Sequence, residues 1–189
     1  MSSYLTLVTA PSVKPVAQAT VKAHLRVDAS DEDTLIDVYT DVATDVAEKR
    51  TGRTLITQTW DESFQRPSKK IPLSKGPAQS IVSVKFFDID NVEQTATLSD
   101  FMLIKGNDCQ WVESSNWPAT YDREDAITVQ YITGYGDGPA DIPPSYTAII
   151  LLLVGLYHEM RMDASDIKAN PIPHGVDSLI NLEQVGWYG

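Results

Sequence analysis

Sulfur and histidine chemistry are scarce in this chain. Cys109 is the only cysteine, so no intrachain disulfide can form and a reducing compartment suits it. The three histidines, His24, His158 and His174, lie far apart in sequence. None stands in a spacing such as H-E-x-x-H, and a metal site needs three or four converging ligands, so no metal is expected. Long apolar runs are missing too. The most apolar segment, 148–157, is ten residues long, about half of the ~20 that a bilayer span requires. It reads as a buried helix, and no membrane partner is expected. The first fifteen residues lack a basic stretch followed by an apolar core, so no secretory signal is expected. Positive charge is in deficit, with 15 Lys and Arg against 26 Asp and Glu and a formal net charge of −11. A protein whose main task is gripping phosphates needs clustered cations, so the charge argues against that class, although not against a surface past which DNA slides. There are no internal repeats and no low-complexity segments.

What is present is a globular α+β pattern. The 189 residues, 42% hydrophobic and 22% charged, are enough to bury a substantial core. A short helix is expected over 16–27, with Val21 and Leu25 on one face. A second helix is expected over 31–51. Ser30 reads as its N-cap and Asp33 as its capping-box acid. Leu35, Val38, Tyr39, Val42 and Val46 form its apolar stripe, and Gly52 its C-terminal stop. From Thr54 the period becomes strand-like. Val82, Val84 and Phe86 share one face, as do Ile127, Val129 and Tyr131, and 106–108 reads as a hairpin turn. Pro143-Pro144 opens a third helix over 145–162, apolar on nearly every side. An irregular C-terminal tail follows. The third helix needs apolar partners and the second offers a stripe. The pattern therefore predicts a helical bundle core interrupted by an inserted antiparallel β module at about 54–142. In domain terms, 1–53 and 143–189 are the two parts of the helical core, the latter with the tail.

No motif asks for catalysis or a cofactor. Gly134-Tyr135-Gly136-Asp137-Gly138 lacks the Lys-Ser/Thr of a phosphate loop and reads as a strand-to-helix connection. Asp88-Ile89-Asp90-Asn91 begins like a calcium loop, but Glu93 stands where such a loop needs glycine and Ser99 where it needs glutamate; a β-turn is the better reading. No serine sits in a G-x-S-x-G elbow. One constellation stands out. Asp37, Asp41, Asp45 and Glu48 recur at helical spacing and form one acidic stripe. Like charges at i,i+4 cost a helix about 0.2–0.5 kcal/mol per pair. The stripe is either a solvated outer face, or a surface for a neighbouring subunit's Lys and Arg, or the lining of a ring through which DNA passes.

Several segments, in order, resemble one family. They are Val21-Lys22-Ala23-His24-Leu25-Arg26-Val27-Asp28, the acidic start Asp31-Glu32-Asp33, and the run from Glu48 through Thr51-Gly52-Arg53-Thr54-Leu55-Ile56-Thr57 to Trp60. Then come Ile71-Pro72-Leu73-Ser74-Lys75-Gly76-Pro77, Ser80-Ile81-Val82-Ser83-Val84, Trp117-Pro118-Ala119, Val129-Gln130-Tyr131-Ile132-Thr133-Gly134-Tyr135-Gly136 and Leu156-Tyr157-His158-Glu159-Met160-Arg161. Together they resemble the head–tail connector (adaptor, head-completion) proteins of long-tailed bacteriophages, also found in gene transfer agents. The resemblance spans roughly 15–185. It departs from the family pattern at Pro15, where a polar cap is usual, and in the tail.

The resemblance implies a structural virion protein and no enzyme. It implies a homo-oligomeric ring, usually of twelve copies, on the portal vertex. Such a ring extends the DNA channel, with DNA only as passing cargo, and docks the next neck or tail-completion protein. It further implies assembly in the bacterial host cytoplasm and a C-terminal tail, here with Trp187 and Tyr188, that engages the portal protein. The alternatives are another neck or tail-completion protein and, remotely, a carbohydrate-binding or hydrolytic module with Trp60, Trp111 and Trp117 as an aromatic platform.

Overall fold

The computed structural model describes residues 3–106, 109–162 and 174–184. They form two compact units that change over at 12/13, 56/57 and 134/135. The architecture is α+β, with helices in one unit and antiparallel sheets in the other.

The helical unit contains α1 (Gln18–Leu25), α2 (Asp33–Thr51), α3 (Pro144–Met162) and α4 (His174–Glu183). α2 ends where the sequence places its stop. Gly52 adopts the left-handed conformation (φ 71°, ψ 14°) and donates its N–H to the Glu48 carbonyl at 3.0 Å. A residue with a Cβ is disfavoured there. Its start differs from expectation. Glu32, not Ser30, is the cap residue, with no side-chain cap bond. Asp33 is the first helical residue, not the capping-box acid, and its Oδ1 lies 2.6 Å from Lys22 Nζ.

The buried face of α2 also differs. Ile36, Thr40, Ala43, Ala47 and Thr51 are buried; of the expected stripe Tyr39 and Val46 pack against the core, whereas Val38 and Val42 are exposed. The cause is the shape of the partner. α3 contributes the bulky Tyr146, Ile149, Ile150, Leu153 and Val154 to the shared core. Small residues on α2 let two helix backbones approach closely, and the hydroxyls of Thr40 and Thr51 remain satisfied by the carbonyls four residues back. α3 is less uniformly enclosed than its composition suggests, since Leu152 and Met160 are exposed. Part of the expected irregular tail is helical. Val176, Leu179 and Ile180 recur at three and four residues, and their stripe joins this core as α4.

The sheet unit contains β1 (Ser3–Thr9), β2 (Gln58–Phe64), β3 (Lys70–Pro72), β4 (Ala78–Phe87), β5 (Glu93–Thr95), β6 (Met102–Lys105), β7 (Gln110–Glu113) and β8 (Ile127–Thr133). One sheet has the order β1-β2-β8-β4-β5 and the other β3-β7-β6, with every pairing antiparallel. β8 is central and alternates as expected, with Ile127, Val129, Tyr131 and Thr133 buried. β4 does not keep its phase. Its register against β8 slips between Ala78 and Ser80 and again between Ile81 and Ser83, and Val82 is exposed while Val84 is buried. An extra residue in one strand reverses which side chains face the core. β1 is a further departure. The sequence reading gives 1–53 to the helical core, yet Ser3–Thr9 pairs with β2 at the sheet edge. Tyr4, Leu5, Leu7 and Val8 are all exposed, so neither face of β1 is covered.

Each unit buries one tyrosine completely, Tyr131 among the sheets and Tyr146 among the helices. Burial raises both phenols above the ordinary tyrosine value, and for Tyr131 the adjacent Glu62 carboxylate raises it further. Above pH ~10 an unfolded chain releases these protons while the folded one retains them, so stability falls as pH rises. For two such groups the loss at pH 11 relative to pH 8 is about 3 kcal/mol. Denaturant titrations at the two pH values should show a lower midpoint at pH 11; equal midpoints would remove this role for the tyrosines.

Candidate functional site

The acidic stripe of α2 is real but largely answered within the chain. Lys14 Nζ lies 2.7 Å from Asp41 and 3.5 Å from Asp37, and Lys49 lies 2.7 Å from Asp45. Glu48 turns to the helix end instead, where its Oε1 accepts the Leu55 N–H at 2.8 Å. Asp41 and Asp45 retain side-chain exposures of 64% and 58%, and they lie beside the outward Val38 and Val42. The outer side of α2 is therefore an acidic ridge next to an apolar one, rather than four uncompensated carboxylates. Trp187 and Tyr188 lie outside the described residues.

A feature of opposite sign lies in the sheet unit. The chain leaving β2 runs through Arg66, Lys69 and Lys70. Arg66 approaches Asp122 only at 3.7 Å, and Lys69 reaches Glu113 only at 4.0 Å. Lys70 Nζ stands 4.9 Å from the centre of the Trp111 ring, a cation–π distance. Beside this loop is an open groove of ≈ 390 Å³ lined by Gln65, Arg66, Pro67, Thr120, Tyr121 and Asp122.

Other sequence features take structural roles. His158 Nε2 lies 3.1 Å from the Glu32 carboxylate, and His24 faces Gly155 of α3. Among the described residues no cluster of histidine, cysteine and carboxylates could hold a metal, and no helix is long and apolar enough to cross a membrane. Asp88 closes its own turn, accepting the N–H groups of Asp90 and Val92 and the Gln94 amide. Those hydrogen bonds, led by Val92 and Gln94, hold its carboxyl below the usual range. The glycine-rich 134–138 segment leads to α3 by way of a parallel bridge between Ile56 and Gly136. A Cβ on Gly136 would overlap the Asp141 side chain. The three tryptophans form no shared platform. Trp60 lies under Lys75, Trp111 under Lys70, and Trp117 stands edge-on to Phe101 at 4.8 Å.

One group that sequence reasoning passes over is Glu62, fully buried in β2. Its carboxylate accepts hydrogen bonds from the Tyr131 hydroxyl at 2.8 Å, the Ser74 N–H at 2.9 Å and the Ser74 hydroxyl. The strand pattern itself was the available signal, since Glu62 shares the inward face with Phe64. With every contact a satisfied protein partner, it reads as a structural tie and not a reactive acid.

Residues 19–101 match the family model described as phage gp6-like head-tail connector protein. The head–tail connector resemblance is borne out. A connector is a structural part and not an enzyme, as the sequence leads one to expect. The matched stretch takes in nearly all of α1, then α2 and β2 to β5, and leaves β1 before it and β6, β7, β8, α3 and α4 beyond it. Solved structures extend the likeness in fold over nearly the whole chain. A chain in the neck of an empty gene transfer agent particle, computed with C6 symmetry, superposes with a TM-score of 0.80 at 22% identity, covering 97% of this chain and 96% of that one. A chain of the native gene transfer agent virion gives 0.79 at 20% identity over 96% and 95%. One from the native neck, computed with C12 symmetry, gives 0.78 at 19% over 97% and 96%. No curated protein sequence matches.

Proposed function

We propose that this chain is a structural protein of a virion neck. In this reading it is a head–tail connector whose copies close into a homo-oligomeric ring, of twelve, on the portal vertex. The ring extends the DNA channel and presents its far side to the next neck or tail-completion protein. The observation that carries this is the connector family match over 19–101. The likeness in fold to chains from necks computed with C6 and C12 symmetry supports it. Physical features agree. A net charge of −11 gives DNA little to hold, which suits a conduit through which DNA moves. Two units of different composition give each copy two different surfaces, which a head-to-tail ring requires.

The segment 171–189, with Trp187 and Tyr188, is proposed to engage the portal, main-chain hydrogen bonds supplying affinity and the two aromatics filling pockets. Assembly takes place in the cytoplasm of the bacterial host. Electron microscopy of particles made with and without this chain tests the reading. A ring density at the head–tail junction should vanish when the chain is absent, together with tail attachment. Particles that keep an intact neck without it would overturn the proposal.

A further inference from the structure

Resting on the ring reading, we infer that the outer side of α2 in one copy seats on the basic 66–70 loop and its groove in the next copy. The helix offers an apolar ridge, Val38 and Val42 at 50% and 46% exposure. Beside it runs the acidic ridge of Asp37, Asp41 and Asp45. These three acids face two lysines, Lys14 and Lys49, so the patch keeps a negative surplus of one.

The sheet unit offers the converse. Arg66 faces Asp122 and Lys69 faces Glu113, and Lys70 over the Trp111 ring is a third cation, which leaves a positive surplus of one in a chain of net charge −11. The ion pairs already present there, at 3.7 and 4.0 Å with 71% side-chain exposure on each cation, are long and wet. Exposed pairs of this kind are worth little, so the cations are readily re-paired. Pro67 and Tyr121 give the groove apolar walls for the two valines, and Tyr121 is 45% exposed.

A two-fold contact of either patch with its own copy would bring together two surpluses of the same sign, which disfavours it. Each does complement the other. A contact between two different patches is heterologous, which is the kind that generates rings. The occupant of the α2 face is therefore a second copy of this chain.

The test is a charge exchange in the full-length protein, read as the fraction of neck particles that carry a closed ring. Asp41→Lys with Asp45→Lys, and separately Arg66→Glu with Lys69→Glu, should each lower that fraction at least about tenfold. All four changes in one chain should recover most of it. Circular dichroism identifies any variant that fails to fold, and milder Asp41→Asn with Asp45→Asn then replaces the helix arm. Two outcomes overturn the contact while leaving the ring reading intact. In one, both single-sided variants close rings like the parent, or the four-fold variant does no better than either. In the other, the helix variant closes rings but detaches from the portal, which would make the portal the occupant. If the parent chain itself forms no ring on necks, the ring reading falls and the contact falls with it.

Discussion

Glu62→Ala is expected to lower the stability of the sheet unit by about 3–5 kcal/mol. The carboxylate is wholly buried and is the acceptor for the Tyr131 hydroxyl, the Ser74 N–H and the Ser74 hydroxyl. Truncation leaves these donors facing a void with no acceptor. Each unsatisfied buried polar group costs about 1–3 kcal/mol, and that cost outweighs the benefit of no longer desolvating a charge. Tyr131→Phe separates the two effects. It removes one donor and leaves the carboxylate its two bonds to Ser74, so a loss of only about 1 kcal/mol is expected. Trp60, Trp111 and Trp117 all belong to the sheet unit, which makes tryptophan fluorescence during urea unfolding the suitable readout. If Glu62→Ala unfolds at the same urea concentration as the parent, the buried carboxylate is not a tie.

Leu153→Ala is expected to cost the helical unit about 2–5 kcal/mol. Leu153 is fully buried on α3, in the same core as Ile36, Ala43 and Ala47 of α2 and Val176 and Ile180 of α4. Alanine at 43 and 47 leaves little side chain there to move into a new cavity, so the hole persists and the upper part of the range applies. Far-UV circular dichroism at the helical minimum should lose signal at lower denaturant than in the parent. Leu152→Ala is the matched control one residue away. That side chain is 42% exposed, and its removal should shift the transition by less than about 1 kcal/mol. Equal shifts for the two variants would mean that the burial pattern of α3 is wrong.

These two positions differ in how far sequence alone reveals them. That α3 belongs to the core follows from its composition, because so apolar a helix needs protein around it, although composition does not reveal that Leu152 and Met160 face outward. The stop of α2 at Gly52 was equally legible, since a glycine after a run closing with Lys49 and Arg50 is a local signal. The phase of α2 was not. Hydropathy favours Val38 and Val42 over Ala43 and Thr40, yet the space left by the bulky side chains of α3 admits the small residues and turns the valines outward. Composition ranks apolarity, and packing selects size.

The same gap explains β1. A strand exposed on both faces has no reason to alternate, so Ser3–Thr9 carries no period-two pattern, and its strand character comes from hydrogen bonding to β2 across more than fifty residues of sequence. For the surface features, the acidic stripe was readable from spacing. Its compensation by Lys14 was not, because that lysine lies outside the helix. The basic loop of the sheet unit was unremarkable in sequence, since three cations in five residues gain meaning only beside a groove.

The threading of the chain also has a consequence in time. α2 is complete at Thr51, but α3, which covers its buried face, starts at Pro144. At about 5–20 residues per second, roughly 5–20 s of synthesis separate the two. Throughout that interval Ile36, Ala43 and Ala47 have no lid from α3, and β1 likewise waits for β2. Among the described elements, those of the helical unit are therefore the last to be completed, although it also holds the earlier helices. A nascent chain halted after β8 would possess every strand of its sheets and only half of its bundle.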